Sequence, residues 1–418
     1  MNKLTTLACL LLWLPMRAQT LSLDYCIEKA RENYPAVKQY DLVEKSRDYT
    51  ISNAAKGWLP QIGVTAGAYA FTDIVDDDVL SLMGVDMDNY IVDGALTVSQ
   101  NIYDGGQIAA GKRIAKAEAE VEQRQLDVTM YDVEERVEQI FFGILVIDER
   151  IRQNGLLQED LQISYNSVES MMRGGIANQS DIDAVKVEQV TARQQLGSLQ
   201  SSRKAYLRML GIFIGEQISQ ESTLETPLPQ MGANGSTLYE WRPETAYFSA
   251  LESLIDEEHN KLNTSLRPTL GAFVTGVIHN SVTDMINNGM IAGGLSLSWN
   301  IGALYTRKND LRQLEVERLR IASERETFIF NTWLENAESN GAIESLRTQI
   351  SQDDEIVRLR ESIRSKSEKK VELGTESVNE MLRDINAVSQ ARQQKALHEI
   401  QLVKEIYNLN HIVGKERQ

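Results

Sequence analysis

Few residues of this sequence have the types and spacing that chemistry at a protein site requires. The sequence has no phosphate-binding glycine loop and no nucleophile elbow, and Cys9 and Cys26 do not form a paired motif. Four histidines show no spacing typical of a metal site: His259, His279, His398 and His411. We therefore expect neither an enzyme, nor a bound metal, nor a cofactor.

The formal net charge of the chain is −17, which argues against a nucleic-acid partner. Carboxylates are the remaining candidates for a functional site. Asp181 and Glu380 each follow a glycine turn, in GGIANQSDI (174–182) and LGTESVNEM (373–381). A carboxylate in the first turn of a helix favours the helix dipole, which alone would explain both residues. The cluster DIVDDD (73–78), with Asp86 and Asp88, lacks the ligand spacing of an EF-hand. It predicts a solvated loop, with divalent-cation contact to surface lipid as an alternative.

Short alternating segments predict the elements around these residues. In LSLSWNIGAL (295–304), the apolar Leu295, Leu297, Trp299 and Ile301 share one parity and Ser296, Ser298, Asn300 and Gly302 the other, as in a strand with two unlike faces. We expect four strands, at about 60–73, 90–103, 268–280 and 290–302. The apolar parity faces either membrane lipid or the helices of a small soluble sheet. In the membrane case four strands are too few, since the smallest barrels have ~8.

Long helices are predicted elsewhere, because the tracts 61–226 and 269–418 contain no proline. The chain also repeats itself: GALTVSQNIYDGG (94–106) matches GGLSLSWNIGALY (293–305). Each half reads helix, strand, strand, long helix, turn, long helix. The first repeat covers residues 19–214 and the second 242–418, joined by a linker at 215–241.

The first 18 residues predict a secretory signal peptide. Lys3 precedes an apolar run from Leu7 to Leu14, and the small Ala18 provides a cleavage site. Removal of residues 1–18 would leave Cys26 as the sole cysteine, so we expect no intrachain disulfide.

In order along the chain, several segments resemble the TolC-like outer-membrane efflux proteins over nearly the whole mature sequence. These segments are LSLDYCIEKARENYP, WLPQIG, VSQNIYDGGQ, WRPE and the two glycine turns. Two departures stand out. The second repeat has Gly302, Ala303 and Leu304 where the first has the DGG of 104–106, and the loop at 281–288 is short.

The resemblance implies a mainly α fold with a four-stranded β portion. Three subunits would share a twelve-stranded β-barrel in the outer membrane of a Gram-negative bacterium, continued by a periplasmic α-barrel. The function implied is passive export in a tripartite efflux pump or type I secretion system. The implied partners are two further copies, a periplasmic adaptor (membrane fusion) protein, an inner-membrane transporter and outer-membrane lipid.

The resemblance also implies roles for the glycine turns. Asp181 and Glu380 align with acidic residues that narrow the periplasmic aperture, although Arg383 replaces a second aspartate. The turns themselves resemble adaptor-docking grooves, or else are plain hairpin turns: Gly175, Ile176, Gly374 and Thr375.

The sequence leaves two other functions open. A secreted or periplasmic coiled-coil interaction protein would use the strands as a soluble cap. An enzyme on a helical scaffold would need a site such as a buried histidine–carboxylate pair.

Overall fold

The computed structural model describes residues 20–70, 90–228, 240–279 and 289–414. Helices dominate this part of the chain, and the two longest run for 67 and 70 residues. At ~1.5 Å per residue, each is about 100 Å long. In chain order the helices are α1 (Leu23–Asn33), α2 (Val37–Ala55), α3 (Gln107–Arg173), α4 (Gln179–Ile214), α5 (Pro243–Thr264), α6 (Ala303–Glu372) and α7 (Val378–Val413).

Four long strands form one antiparallel sheet. Its strands lie in the order β2 (Gln61–Ala70), β3 (Tyr90–Tyr103), β5 (Thr269–His279) and β6 (Gly289–Ser298), so β2 and β6 are the edges. Two further strands, of two residues each, pair in parallel, with Thr20 opposite Thr223. These two strands are β1 (Thr20–Leu21) and β4 (Thr223–Leu224).

The register of this sheet places an apolar residue from each of its four strands on one face. Val98 lies between Ile62 on one side and Val274 on the other, and Leu295 lies opposite Ala272. On the opposite face the hydroxyl oxygens of Thr97 and Thr275, which also lie opposite each other, are 2.9 Å apart. The alternation in the sequence therefore corresponds to two unlike faces of a single sheet.

Strand β6 ends at Ser298, before the end near residue 302 that the alternation predicts. The Trp299 indole N–H donates to the Leu266 carbonyl at 3.0 Å, and the Leu304 N–H donates to the Ile301 carbonyl at 3.0 Å. These bonds turn the chain into α6, although the residues continue to alternate. The parity of a sequence therefore does not reveal where ladder pairing ends.

The first strand-to-helix junction depends on Asp104. Its carboxylate accepts hydrogen bonds from the N–H groups of Gly106 (2.9 Å) and Ile108 (2.6 Å), which satisfies donors at the start of α3. Gly105 has φ +68°, and a Cβ on it would lie 3.0 Å from the Arg267 Cβ. Only glycine fits this position without strain.

The described residues divide into two compact units. The sheet unit consists of Lys38–Gln125 and Ala246–Glu326. The helical unit consists of the residues up to Val37, Leu126–Thr245 and the residues from Thr327 onward. No helix in the described part of the chain combines the length and the apolar composition needed to cross a bilayer.

One apolar core of the helical unit joins α1, α3 and α4. Its largest fully buried side chains include Phe141, Phe142 and Leu210. Cys26 is fully buried in the same core, and burial, reinforced by Glu216, raises the pKa of its thiol to about 12. The thiol is therefore protonated and unreactive in the folded protein.

Several expectations fall outside the described residues. They concern the signal peptide at 1–18, the acidic loop at 73–78 with Asp86 and Asp88, and the short loop at 281–288.

Candidate functional site

The first glycine turn ends α3 with a left-handed residue. Gly175 has φ +77°, and its N–H donates to the Met172 carbonyl at 3.0 Å. The Ile176 N–H donates to the Met171 carbonyl at 2.9 Å. This pair of bonds is the Schellman motif, which satisfies the last carbonyls of a helix.

The second turn repeats this geometry at the end of α6. Gly374 has φ +71°, and its N–H donates to the Val371 carbonyl at 2.9 Å. Thr375 donates to the Lys370 carbonyl from its N–H at 2.9 Å and from its hydroxyl at 3.0 Å. A Cβ on Gly374 would lie 3.7 Å from the Ile176 Cγ2, so the two turns are neighbours. Ile176 is 57% exposed, so a large apolar side chain projects from the paired turns.

Both predicted aperture acids cap their own helices. The Asp181 carboxylate accepts the Asn178 N–H at 2.9 Å, and the Asn178 side chain accepts N–H groups from the first turn of α4. The Glu380 carboxylate accepts the N–H of Ser377 at 3.1 Å and its hydroxyl at 3.0 Å. These hydrogen bonds lower the pKa of Glu380, and Arg383 adds to the effect. The acids thus form two capping boxes, which explains their positions independently of any gate.

Helices α3 and α4 form one hairpin around the first glycine turn, and α6 and α7 form a second around the other. An apolar cluster next to the turns joins the two hairpins. All four long helices of the helical unit contribute to it, and Val185 and Ile385 are fully buried. The Asn386 amide also donates to the Glu188 carboxylate at 3.0 Å. The buried members are Leu157, Leu161, Val168, Met171, Ile182, Val185, Ala192, Val371, Val378, Met381, Leu382 and Ile385.

A network of ion pairs near this cluster was not foreseen from the sequence. Arg364 on α6 binds both carboxylate oxygens of Asp160 on α3. Arg392 on α7 lies 3.8 Å from Asp160 and 2.6 Å from Glu361. No short-range spacing signals these pairs, since they join helices far apart in the sequence.

A buried histidine–carboxylate pair also exists. His398 Nδ1 lies 2.7 Å from Asp353 Oδ2, and both side chains are largely buried. The other ring nitrogen is 2.6 Å from Gln394 Nε2, so both nitrogens of His398 have protein partners. A general base needs a nitrogen free to reach its substrate, and this arrangement leaves none. The pair joins α6 to α7, and none of the described residues forms a cluster suited to a metal ion.

The sheet unit presents a second surface of interest. The apolar face of its sheet is exposed, with Ile62 at 73%, Val64 at 76% and Leu295 at 72%. Isolated exposed apolar residues are ordinary, but a continuous apolar sheet face indicates an interaction surface.

Comparisons with known proteins agree with these features. Residues 26–215 match the family model described as outer membrane efflux protein. The outer membrane protein VceC from Vibrio cholerae is 12% identical, with a TM-score of 0.70 over 95% of this chain and 97% of that chain. The Campylobacter jejuni CmeC outer membrane channel is 12% identical, with a TM-score of 0.67 over 94% and 85% of the two chains.

The MtrE outer membrane channel of Neisseria gonorrhoeae, solved in an open state, is 13% identical, with a TM-score of 0.65 over 94% of this chain and 88% of that chain. No curated protein matches the sequence. At these identities the solved structures establish the fold. Together with the family model, they confirm the resemblance predicted from the sequence, and an outer-membrane location is the one that the family model describes.

Proposed function

We propose that this chain, whose residues 26–215 match the family model described as outer membrane efflux protein, is the outer-membrane channel of a tripartite efflux pump or a type I secretion system. The channel is a passive duct that extends into the periplasm. Its partners are a periplasmic adaptor and an inner-membrane transporter, which supplies the energy. The fold shared with solved outer-membrane channels supports this function.

The exposed apolar face of the sheet is the observation that carries the proposal. A soluble cap would bury this face against helices, whereas Leu295 and its neighbours remain exposed in the single chain. Hydrocarbon is the environment that suits such a face. The Ser, Thr and Asn side chains on the opposite face suit a water-filled interior.

The edges of the sheet support assembly from several copies. Strands β2 and β6 each have a single neighbour among the described strands, which leaves one side of each without a ladder partner. Unpaired backbone groups cost several kcal/mol each in lipid, so an open sheet does not persist there. Three copies would supply about twelve strands, enough to close a barrel.

Exposed apolar residues on the helices support the same assembly. Helix α6 carries two groups of them with the three- and four-residue spacing of a helix face, and α4 carries a further pair three residues apart. Helix packing between copies would bury these residues in a continuous helical wall. They are Phe330, Trp333, Leu334, Ile356, Leu359 and Ile363 on α6, and Val187 and Val190 on α4.

The paired turns form the periplasmic tip in this proposal. Gly175, Ile176, Gly374 and Thr375 would receive the adaptor, since glycine turns let a partner approach the backbone and Ile176 offers an exposed apolar contact. Asp181 and Glu380 would line the aperture, where three copies of each would attract cations. The capping hydrogen bonds of Glu380 are compatible with this role, because they lower its pKa and so favour the charged carboxylate.

Membrane fractionation of two neighbouring variants tests the function. Leu295→Arg places a charge on the apolar face, and Ser296→Arg places the same charge on the polar face. An arginine on the lipid face costs about 2–4 kcal/mol near the bilayer centre. We expect wild type and Ser296→Arg to stay with outer membranes after a high-salt wash. The Leu295→Arg variant should be depleted from the same membrane fraction. Wild-type protein that washes off as a soluble rod would instead indicate the coiled-coil interaction protein.

A further inference from the structure

A cavity of about 430 Å³ lies within the helical unit, away from the turns. Helices α3, α6 and α7 contribute its lining, together with Arg242, which precedes α5. Carboxylates outnumber every other charged group around it. They are Asp132, Glu135, Glu335, Glu338 and Glu405.

The hydrogen-bond donors of this cavity already have acceptors. The Arg242 guanidinium donates to Glu244 and to the Ile412 carbonyl, and it lies between the rings of Tyr131 and Phe328. The Ser339 hydroxyl and the Asn408 amide both donate to Glu405, at 2.6 and 3.0 Å. The protein therefore has few donors left to offer the remaining carboxylates.

The carboxylate acceptors of the cavity, in contrast, outnumber the protein donors available to them. The carboxylates of Asp132, Glu335 and Glu338 have no hydrogen bond and no ion pair within 4 Å to a described residue, although the more distant charge of Arg242 attracts Asp132 and Glu335. Burial raises the pKa of Asp132, and the nearby charges of Glu244 and Glu135 raise it further, whereas the charges of Arg242 and Arg136 act in the opposite direction without cancelling the rise. Negative charge in the cavity is thus incompletely compensated.

His411 provides an independent sign that a ligand belongs here. Its side chain is only 9% exposed and stacks on Tyr131, with ring centroids 3.9 Å apart. Burial, together with Arg242, lowers the pKa of His411 to about 4, so the ring is neutral. Its Nε2 lies 3.9 Å from Glu135 Oε2, too far for a hydrogen bond, and no described residue bonds to either ring nitrogen. A buried imidazole in a polar cavity ordinarily has a partner.

We propose that this cavity binds an organic polyamine, whose ammonium groups donate to the carboxylates and to the neutral ring of His411. An ammonium group carries three donors and no acceptor, which complements a cavity rich in acceptors. Charge-assisted hydrogen bonds of this kind are about twice as strong as neutral ones. A metal ion fits less well, because the described carboxylates and His411 do not converge as a ligand set. This site is separate from the export role proposed above, and its occupancy does not require the channel to conduct.

Titration calorimetry of the full-length, detergent-solubilised protein with spermidine tests the proposal. Glu335→Gln and Glu338→Gln should each weaken binding by about two- to fivefold, because solvent screens these exposed carboxylates and an exposed ion pair contributes up to ~1 kcal/mol. Both side chains are exposed and unpaired in the described structure, so these variants should fold normally. Glu344→Gln is the matched control: it removes the same charge from an exposed site on α6 that does not line the cavity, and it should leave the affinity unchanged.

Three outcomes would overturn the proposal. The first is an absence of spermidine binding to wild type. Equal weakening by Glu344→Gln would indicate general attraction to an acidic surface. Tighter binding of Mg²⁺ than of spermidine, lost in the cavity variants, would assign the cavity to a metal ion. A His411→Phe variant adds a second readout, because loss of the ring acceptor should weaken spermidine binding while the carboxylates remain.

Discussion

Arg364 donates to both carboxylate oxygens of Asp160, from Nη1 to Oδ2 at 2.6 Å and from Nη2 to Oδ1 at 2.9 Å. This two-pronged pair joins α6 to α3, and both side chains are largely buried, at 15% and 21% exposed. This pair should therefore contribute more to stability than the exposed ion pairs along the same helices do.

Replacing Arg364 with alanine should lower the free energy of unfolding by about 2 kcal/mol, since Asp160 would keep only the distant Arg392 as a partner. Denaturant unfolding of the solubilised protein measures this change. Arg358→Ala is the control, because Arg358 forms an exposed pair with Glu355 at 3.6 Å and should change stability by about 0.5 kcal/mol or less. Equal effects of the two substitutions would contradict the assigned role of Arg364.

Substitution of Gly374 in the second turn should destabilise the protein because of the backbone conformation at this position. Gly374→Ala should destabilise the protein by about 1–2 kcal/mol, because alanine is strained at positive φ. The added methyl group would meet Ile176 only at an ordinary contact distance, so steric conflict adds little. Gly341, within α6, has open space around it, and Gly341→Ala should stabilise by up to ~1 kcal/mol. Thermal unfolding of both variants should show shifts of opposite sign, and a stabilising Gly374→Ala would refute the argument.

The proposed aperture predicts a change in conductance. The double variant Asp181→Asn with Glu380→Gln removes both charges but keeps side-chain oxygens that can accept the capping N–H groups. Single-channel recordings should show a several-fold weaker blockade by multivalent cations and a higher conductance, because cations held by these carboxylates would no longer obstruct the narrow aperture. Asp183→Asn serves as the control, since Asp183 is an exposed acid near the same turn. Unchanged conductance and blockade in the double variant would show that Asp181 and Glu380 cap their helices and do not line the aperture.

The stability of the protein should depend on His411 in mildly acidic solution. The pKa of His411 is about 4 in the folded protein against an ordinary value of 6.5, so the unfolded chain binds the proton more readily. Stability should therefore fall as the pH drops below 6.5, by up to about 3 kcal/mol near pH 4, and no further below that.

Thermal midpoints across this pH range measure the effect. The thermal midpoint should depend less steeply on pH in His411→Gln than in wild type. The control variant His259→Gln, at an exposed position on α5, should show the wild-type dependence. A wild-type slope in His411→Gln would mean that another group governs the acid response.

Sequence patterns predicted features that depend on neighbouring residues. The alternation of Leu295 and Ser296 indicated opposite faces, which the register of β6 confirms. The glycines at 175 and 374 marked chain reversals, since the left-handed residue that ends a helix is usually glycine.

Features that depend on how separate elements align were beyond prediction. The Asp160–Arg364 pair and the Asp353–His398 pair each require two helices in a particular register, and neither has a local signature. The parallel pairing of Thr20 with Thr223 joins segments of two residues, too short for any periodicity to appear. The site residues at the turns were predicted by resemblance, and their capping bonds became evident only from the geometry.

In the proposed assembly the exposed apolar sheet meets lipid, and one chain cannot close the barrel alone. The mass of the native particle extracted from membranes tests both points. We predict a complex of three chains that needs detergent or lipid to remain dispersed. A stable single chain in plain buffer would refute the proposed assembly.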